Sequence, residues 1–563
     1  MIHSSKKNYL IFLLILIVVL LGVGIDMMDI DAAQYASISR EMLEHNNMLQ
    51  IFDAGKDYLD KPPFLFWVSA LSIKIFGVNN WGYKLPSILF SVLAVFSTYS
   101  FAKLFYNKRV AVFSAIVLAS SQGFILMNHD IRTDTILMSW VIFSIWQLTC
   151  WFKEKKWIHL IFGCIGIAVG MMTKGPIALF VPIFGFSVHF FLQRKFSMLF
   201  KWQHLIGIVV IAIFLLPMSW GLYQQFDLHP NKVVNGDTHV SGLKFFYWTQ
   251  SFGRITGESN WNNHAGFFFL LQNMLWSFMP WILFFLIGFF LQAKRIIKNK
   301  FRIENISEAI SFGAFVLTYI ALGMSKYQLP HYIFVVFPFA SIITADYIVN
   351  QLLTNETPNK NFINLYYFHF GIFVLLWMVL IYLLGFTFES ISWVYPFLAI
   401  ISACGLIYFF SKNKIQNKLI AMCLYTIIGI NLFLNAIYYP TILKFQAGNN
   451  VGKYISENKI PLDKLALYKY STWRSLNYYA QGAIKEIEDS TLIHPGDYLI
   501  IKKNDLISLD RQQVSYQILF EGFDYPVTKL TKDFLNTAKR KKSIQEISLI
   551  FIKQLNKNAI AKH

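Results

Sequence analysis

Charge is what this chain has least of. Only 14% of its 563 residues are Asp, Glu, Lys or Arg, against about a quarter in an ordinary soluble protein. A water-soluble globule of this length is excluded, because 55% of the residues are apolar and a single core could not hide them. Cysteine is equally scarce. Cys150, Cys164, Cys404 and Cys423 all fall inside apolar runs without a zinc-like spacing. That excludes a disulfide scaffold and a thiolate metal centre, and leaves them as small buried apolar residues. Acidic residues are outnumbered by basic ones, 31 to 50, for a net charge of +19. The excess is no nucleic-acid footprint: the cations stand in short clusters between apolar segments, the pattern of the positive-inside rule.

What the chain has instead is long apolar runs. They occur near 9–25, 63–77, 85–105, 109–127, 135–152, 157–173, 174–193, 203–222, 265–293, 308–323, 331–350, 364–385, 391–410 and 418–438. Most approach the ~20 residues needed to cross a bilayer. The first lacks a small-x-small cleavage site and reads as an uncleaved membrane helix with its N-terminus in the cytoplasm. Segment 63–77 is the shortest, opens on Pro62-Pro63 and contains Lys74. If it only dips into the membrane, thirteen crossings remain. The clusters Lys103/Lys108/Arg109, Lys153/Lys155/Lys156, Arg194/Lys195/Lys201, Lys294–Arg302 and Lys412/Lys414/Lys418 then all become cytoplasmic. The same threading puts loops 26–62, 128–134, 223–264 and 324–330 on the outer face, where the motifs that carry chemistry lie.

From about residue 440 the chain turns polar, with strand-like runs at 465–470, 498–502, 516–520 and 547–552 and helix-like stretches at 450–458 and 531–541. The expected organisation is therefore a polytopic α-helical membrane domain over 1–440 and a small extracytoplasmic α/β domain over 441–563. A lid or an acceptor dock is the role such a domain would suit.

Carboxylates are costly in lipid, at about 2.5–3.5 kcal/mol near the bilayer centre on the mildest scale, so the acidic islands point to a polar cavity at the outer surface. Asp29, Asp31, Asp57, Asp60, Asp130, Asp134 and His264 are candidate bases or metal ligands; Lys61, Arg132, Arg254 and Lys326 are candidate phosphate binders. Fixed cations in a partly dry site neutralise a phosphate leaving group. A facing carboxylate can deprotonate an attacking hydroxyl. Each island also has a plain structural reading: Asp29 and Asp31 as caps of a helix over 32–44, Asp60-Lys61 as a local ion pair, Lys326 as a snorkelling anchor.

In their order, Asp31-Ala-Ala-Gln-Tyr35, Tyr58-Leu-Asp60-Lys61-Pro-Pro63, Arg132-Thr-Asp134 and Ser325-Lys326-Tyr-Gln-Leu-Pro330-His-Tyr332 resemble the 4-amino-4-deoxy-L-arabinose transferase and protein O-mannosyltransferase families, integral-membrane glycosyltransferases of the GT-C fold. The resemblance implies a polyprenyl-phosphate-sugar donor and an acceptor that is lipid A, another surface glycan or a protein, at the outer face of a bacterial inner membrane. It casts Asp31 and Asp134 as catalytic carboxylates, and Tyr58, Lys61, Arg254, Lys326 and Tyr332 as binders of the donor phosphate. Asp60, with His264, is the position a divalent metal would use. Two departures stand out. Ala32 and Gln34 replace an acidic residue and an arginine common in the family, and Ser251 stands where the arabinose transferases have a histidine, which puts their metal site in doubt here. The competing expectation is a transporter or lipid flippase, for which Thr173-Lys174-Gly-Pro176 between two apolar runs is the best candidate.

Overall fold

The computed structural model describes residues 5–555 except 30, 257, 259–260, 305–306, 355–359, 384–386, 388–404, 406–407, 409–413 and 472. Of the apolar segment expected at 391–410, only Gly405 and Tyr408 are described; the rest, Cys404 included, lies outside the described residues. Eight described helices are long and apolar enough to cross a membrane, and three shorter apolar helices join them.

The first nine helices are α1 (Ser5–Val23), α2 (Asp31–Glu44), α3 (Phe64–Phe76), α4 (Asn80–Lys103), α5 (Lys108–Ala119), α6 (Gln122–Leu126), α7 (Thr133–Glu154), α8 (Trp157–Lys174) and α9 (Ile177–Leu192). Helix α3 has 13 residues; at 1.5 Å per residue it is about 20 Å long, too short for a ~30 Å hydrocarbon core. It lies against α2 and α4. Helices α7 and α8 pack along one another, and small residues permit it: a Cβ on Gly163 would meet Leu148 at 2.7 Å and one on Gly166 would meet Ser144 at 3.1 Å, while Gly170 lets α9 approach, since a Cβ there would meet Ala178 at 2.7 Å. In lipid, where apolar contact alone gives little drive, such close backbone approach is what holds helices together.

Three apolar runs that read as continuous are broken. The run at 109–127 stops at Ala119 and resumes as α6, 265–293 divides into Phe269–Ser277 and Ile282–Lys298 around Pro280, and 331–350 opens as a 3₁₀ turn over Pro330–Val336 before the helix Phe337–Tyr347. Hydropathy reports only that a segment is apolar; two of these breaks fall at Pro280 and Pro338, which lack the N–H that the backbone ladder needs.

The C-terminal part is built on a five-stranded sheet. A short hairpin, β1 (Phe52–Asp53) and β2 (Lys56–Asp57), precedes it in the chain; its own strands are β3 (Leu465–Tyr468), β4 (Lys485–Ile487), β5 (Tyr498–Lys502), β6 (Ser515–Asp524) and β7 (Gln545–Gln554), in the order β4-β3-β5-β7-β6. Strands β4, β3 and β5 run parallel, and β7 and β6 complete the sheet antiparallel. Alternation along β5 sorts its side chains: Ile500 packs with Val451, Ile455 and Leu476 on one face, while Leu499 and Ile501 pack with Leu506 and Leu509 on the other. The edge strand β4 and the helix Lys503–Arg511 are elements that the sequence pattern did not single out.

The sheet domain is docked by burial. Tyr478 and Tyr479 share an apolar cluster with Tyr35, Phe66, Tyr83 and Ile131 of the helical part. The Tyr479 hydroxyl donates to Asn80 Oδ1 at 2.6 Å and accepts from the Met27 N–H at 3.1 Å.

Candidate active site

Four local structures bring the site together. Helix α2 starts at Asp31, whose carboxylate sits in the first turn, where the helix dipole favours an anion. Arg132 NH1 donates to Asp31 Oδ2, and Arg132 Nε donates to Asp130 Oδ2 at 3.0 Å. Burial works against the charge on Arg132, but Asp130 and Asp31 more than restore it. Asp31 thus has a fixed cationic partner and keeps about a third of its side chain exposed, at 35%.

The second structure is the loop that carries Tyr58, Asp60 and Lys61. Its hairpin turns at Ala54-Gly55, whose N–H groups donate to Glu41 of α2 at 2.8 and 2.7 Å. Gln225 bonds both the N–H and the C=O of Ile51, and Lys232 pairs with Asp57 at 3.0 Å. Pro62 and Pro63 then send the chain into α3. Lys61 Nζ lies 2.7 Å from Asp60 Oδ2. Burial, then Asp60, holds the Tyr58 phenol well above its usual range, so that it stays a hydrogen-bond donor.

Third, the carboxylate of Asp134, in the first turn of α7, is 1% exposed and accepts from Lys174 Nζ. His331 Nε2 stands 3.7 Å from its other oxygen. Lys174 is the last residue of α8. Gly175 follows at φ 100°, with Ser251 Oγ 3.5 Å from where a Cβ would project, so a side chain there would strain the turn that delivers the lysine. The Lys174 ammonium also lies 4.1 Å from the centroid of Tyr332.

Fourth, Arg254 NH1 donates to the Tyr332 hydroxyl at 2.9 Å, and its guanidinium lies 5.1 Å from the Tyr327 ring and 5.4 Å from the Trp261 ring.

Lys61, Lys174, Arg254 and Tyr332 line one cavity of about 230 Å³, whose other walls include Phe180, Phe184, Phe252 and Leu322. Around it Tyr58 Oη, Asp60 Oδ1, Asp134 Oδ2, Gln250 Oε1 and Arg254 Nε are buried without a partner in the protein. Each such atom costs about 1–3 kcal/mol, so their convergence marks a place built for a polar ligand rather than for folding alone, and Lys61, Lys174 and Arg254 in the lining favour an anionic group on it. The cavity is lined by both cationic and aromatic side chains.

The sequence candidates divide accordingly. Lys61, Arg254 and Tyr332 line the cavity and Asp134 pairs with Lys174 on its wall; Asp60 and Tyr58 adjoin Lys61, and Asp31 is tied through Arg132 to the start of α7. Lys326 is not among the lining residues: its side chain is exposed, and its backbone N–H donates to the Arg254 carbonyl at 3.1 Å. His264 is exposed, at φ 53°, with its N–H held by Asn262. Among the described residues no three His, Cys, Asp or Glu side chains gather in a way that could hold a metal ion, so Asp60 and His264 form no part of such a set. Ser251 lines the cavity, and a hydroxyl is a poor substitute for an imidazole ligand.

Lys174, Gln250 and His331 are additions. Lys174 carried a signal, a lysine between two apolar runs, but the sequence placed it as a transporter feature. Arg474 is another addition: it donates to Asp53 Oδ2 at 2.6 Å, the same oxygen that accepts from Gln34 at 2.7 Å. The sheet domain thereby sets a guanidinium beside the position where the arginine common in the family is missing.

Comparison with known proteins bears on the fold that carries this site. A family model described as dolichyl-phosphate-mannose-protein mannosyltransferase matches residues 60–220. The undecaprenyl phosphate-alpha-4-amino-4-deoxy-L-arabinose arabinosyl transferase of Wigglesworthia glossinidia brevipalpis is 24% identical over 63% of this chain and 61% of its own length. The match thus spans about three fifths of that relative. An uncharacterized protein of Aquifex aeolicus is 24% identical over 97% of this chain and 100% of its own length. The crystal structure of ArnT from Cupriavidus metallidurans bound to undecaprenyl phosphate superposes with a TM-score of 0.68 at 14% identity, over 97% of this chain and 98% of that one. The chain therefore has the GT-C fold of ArnT, and in sequence it resembles the membrane-embedded arabinosyl and mannosyl transferases.

Proposed function

We propose that this protein transfers a sugar from a polyprenyl-phosphate carrier to an acceptor at the outer face of the bacterial inner membrane. The observation that carries the reading is the cavity lined both by Lys61, Lys174, Arg254 and Tyr332 and by Phe180, Phe184 and Phe252. A phosphate ester with a hydrocarbon tail fits such a site. The likeness to ArnT, solved with undecaprenyl phosphate bound, and to transferases named for an undecaprenyl-phosphate-linked aminosugar supports the same donor class.

The acceptor oxygen attacks the anomeric carbon as the bond from that carbon to the phosphate oxygen breaks, in one inverting displacement. The electron pair leaves with the carrier phosphate. Lys61, Lys174 and Arg254 offset the charge that develops there, in a site from which water is largely excluded. Tyr58 adds a neutral donor. Asp31, oriented by Arg132, takes the proton of an attacking hydroxyl; for a phosphate acceptor it would only position. Lipid A, another surface glycan and a protein hydroxyl are the acceptors this chemistry serves.

In this reading residues 1–440 embed the transferase in the membrane and residues 441–563 stand outside it, with the N-terminus in the cytoplasm. A membrane-impermeant maleimide should label a cysteine placed at Ser490 in intact cells, and one placed at Asn299 only after lysis.

The direct test is transfer of labelled sugar from undecaprenyl phosphate by the purified protein in nanodiscs. Lys61→Ala and Arg254→Ala should each weaken binding of undecaprenyl phosphate by about tenfold or more, the scale of a lost charged hydrogen bond. Unchanged binding in both variants would remove the cavity from the mechanism.

A further inference from the structure

The outer sheet has a feature that the transfer chemistry does not use. Strands β3, β4 and β5 run parallel and end together at Tyr468, Ile487 and Lys502. The chain leaves β3 for β4 on one side and then crosses to β5 on the other. In open α/β sheets such a reversal leaves a crevice at the carboxyl ends of the strands, where ligands bind. Two cavities of about 570 and 690 Å³ open there and meet at Tyr470 and Gln545.

Tyr470 and Trp473 line the crevice as an aromatic pair, with ring centroids 4.5 Å apart and planes inclined by 33°. The Tyr470 hydroxyl donates to Asp524 Oδ2, and Trp473 Nε1 donates to Asp524 Oδ1 at 3.1 Å. One carboxylate thus fixes both rings. Lys502 Nζ lies 4.7 Å from the Tyr470 centroid, and Lys469 and Lys529 are exposed along the rim. Asp29, two residues before Asp31, forms part of the wall. Arg474, next to Trp473, reaches Asp53, which in turn holds Gln34, one turn along α2 from Asp31.

We propose that this crevice is a carbohydrate subsite that seats the phosphorylated sugar headgroup of the acceptor beside Asp31; the assignment rests on the transferase reading above. A pyranose ring offers one apolar C–H face and a rim of hydroxyls. A rigid aromatic pair takes the first, and the surrounding lysines and backbone take the second. Rim lysines also suit phosphate on the sugar.

The probe is deacylated lipid A, a phosphorylated glucosamine disaccharide without acyl chains, titrated against the full-length protein in nanodiscs. Trp473→Ala and Tyr470→Ala should each weaken its binding about tenfold, the scale of one aromatic contact. Trp473→Phe, which keeps a ring, should retain most of it. Undecaprenyl phosphate should bind all three variants as it binds the wild type, which separates loss of the subsite from loss of the fold. In transfer assays the alanine variants should raise the acceptor KM and leave kcat close to wild type. No binding of the disaccharide to the wild type, or equal binding by the alanine variants, overturns the subsite. If the disaccharide binds as expected but receives no sugar from an undecaprenyl-phosphate donor, the crevice stands as a carbohydrate site and its assignment to an acceptor falls with the transferase reading.

Discussion

Asp31 and Asp134 are both carboxylates at helix starts, yet their surroundings give them different work. Asp31 keeps part of its surface exposed and is held by Arg132. Asp134 is buried against Lys174. Asp31→Asn keeps the shape of the side chain and removes its basicity, so turnover on a hydroxyl acceptor should fall by about 10²–10⁴-fold, the scale of general-base catalysis. Carrier binding should persist, and a labelled-sugar transfer assay reads both. Asp134→Ala instead strands the Lys174 ammonium in a buried site. The expected cost is about 3–5 kcal/mol of stability, read as a lower unfolding temperature in detergent. Adding Lys174→Met should restore part of it, because two neutral partners leave no buried charge. If Asp134→Ala unfolds like the wild type, the pair is not the anchor of this wall.

At the scale of elements, the segment after α1 is pinned to the sheet domain through Asp29, which accepts from the Ser475 N–H at 2.8 Å and from its hydroxyl at 3.3 Å. Burial raises the Asp29 carboxyl from 3.8 to about 6, against the opposing effect of the Ser475 hydrogen bonds. A carboxyl whose folded pKa is raised favours the neutral form in the docked state. Docking is therefore strongest below about pH 4, weakens as pH rises towards 6, and levels off above it. Hydrogen exchange at 473–479, corrected for intrinsic rates, should be faster at pH 7.5 than at pH 5, and Asp29→Asn should abolish the difference. An unchanged pH dependence in that variant would assign the titration elsewhere. At this scale the sequence was legible where a pattern is strong. The strand-like runs at 465–470 and 498–502 contain β3 and β5, because a strand buried on both faces leaves a short, nearly continuous apolar run bounded by polar residues. It was illegible where apolarity is uniform: the breaks at Ala119 and near Pro280 sit inside runs that remain apolar on both sides, and hydropathy does not register a backbone kink.

For the whole molecule, the helical part and the sheet domain share a single apolar cluster around Tyr35, Tyr83, Tyr478 and Tyr479, so the two should not come apart without loss. Tyr479→Ala removes a buried ring and its bonds to Asn80 and Met27. About 3–5 kcal/mol is the usual cost of such a truncation, and cleavage by a soluble protease near residues 440–446 should accelerate accordingly. Protection equal to that of the wild type would mean the docking is held elsewhere. The sequence by itself determined that the chain is a membrane protein, where most of its apolar segments begin and end, and that acidic and basic groups stand in islands between them. These follow from local composition and from the cost of charge in lipid, which act residue by residue. Only the tertiary structure decided which islands meet. It drew Lys174 into the cavity with Lys61 and Arg254, left the side chains of Lys326 and His264 at the surface, and carried Arg474 across more than four hundred residues of chain to Asp53. Those outcomes depend on where helix ends and loop turns bring distant side chains together, a matter of packing that no window along the sequence contains.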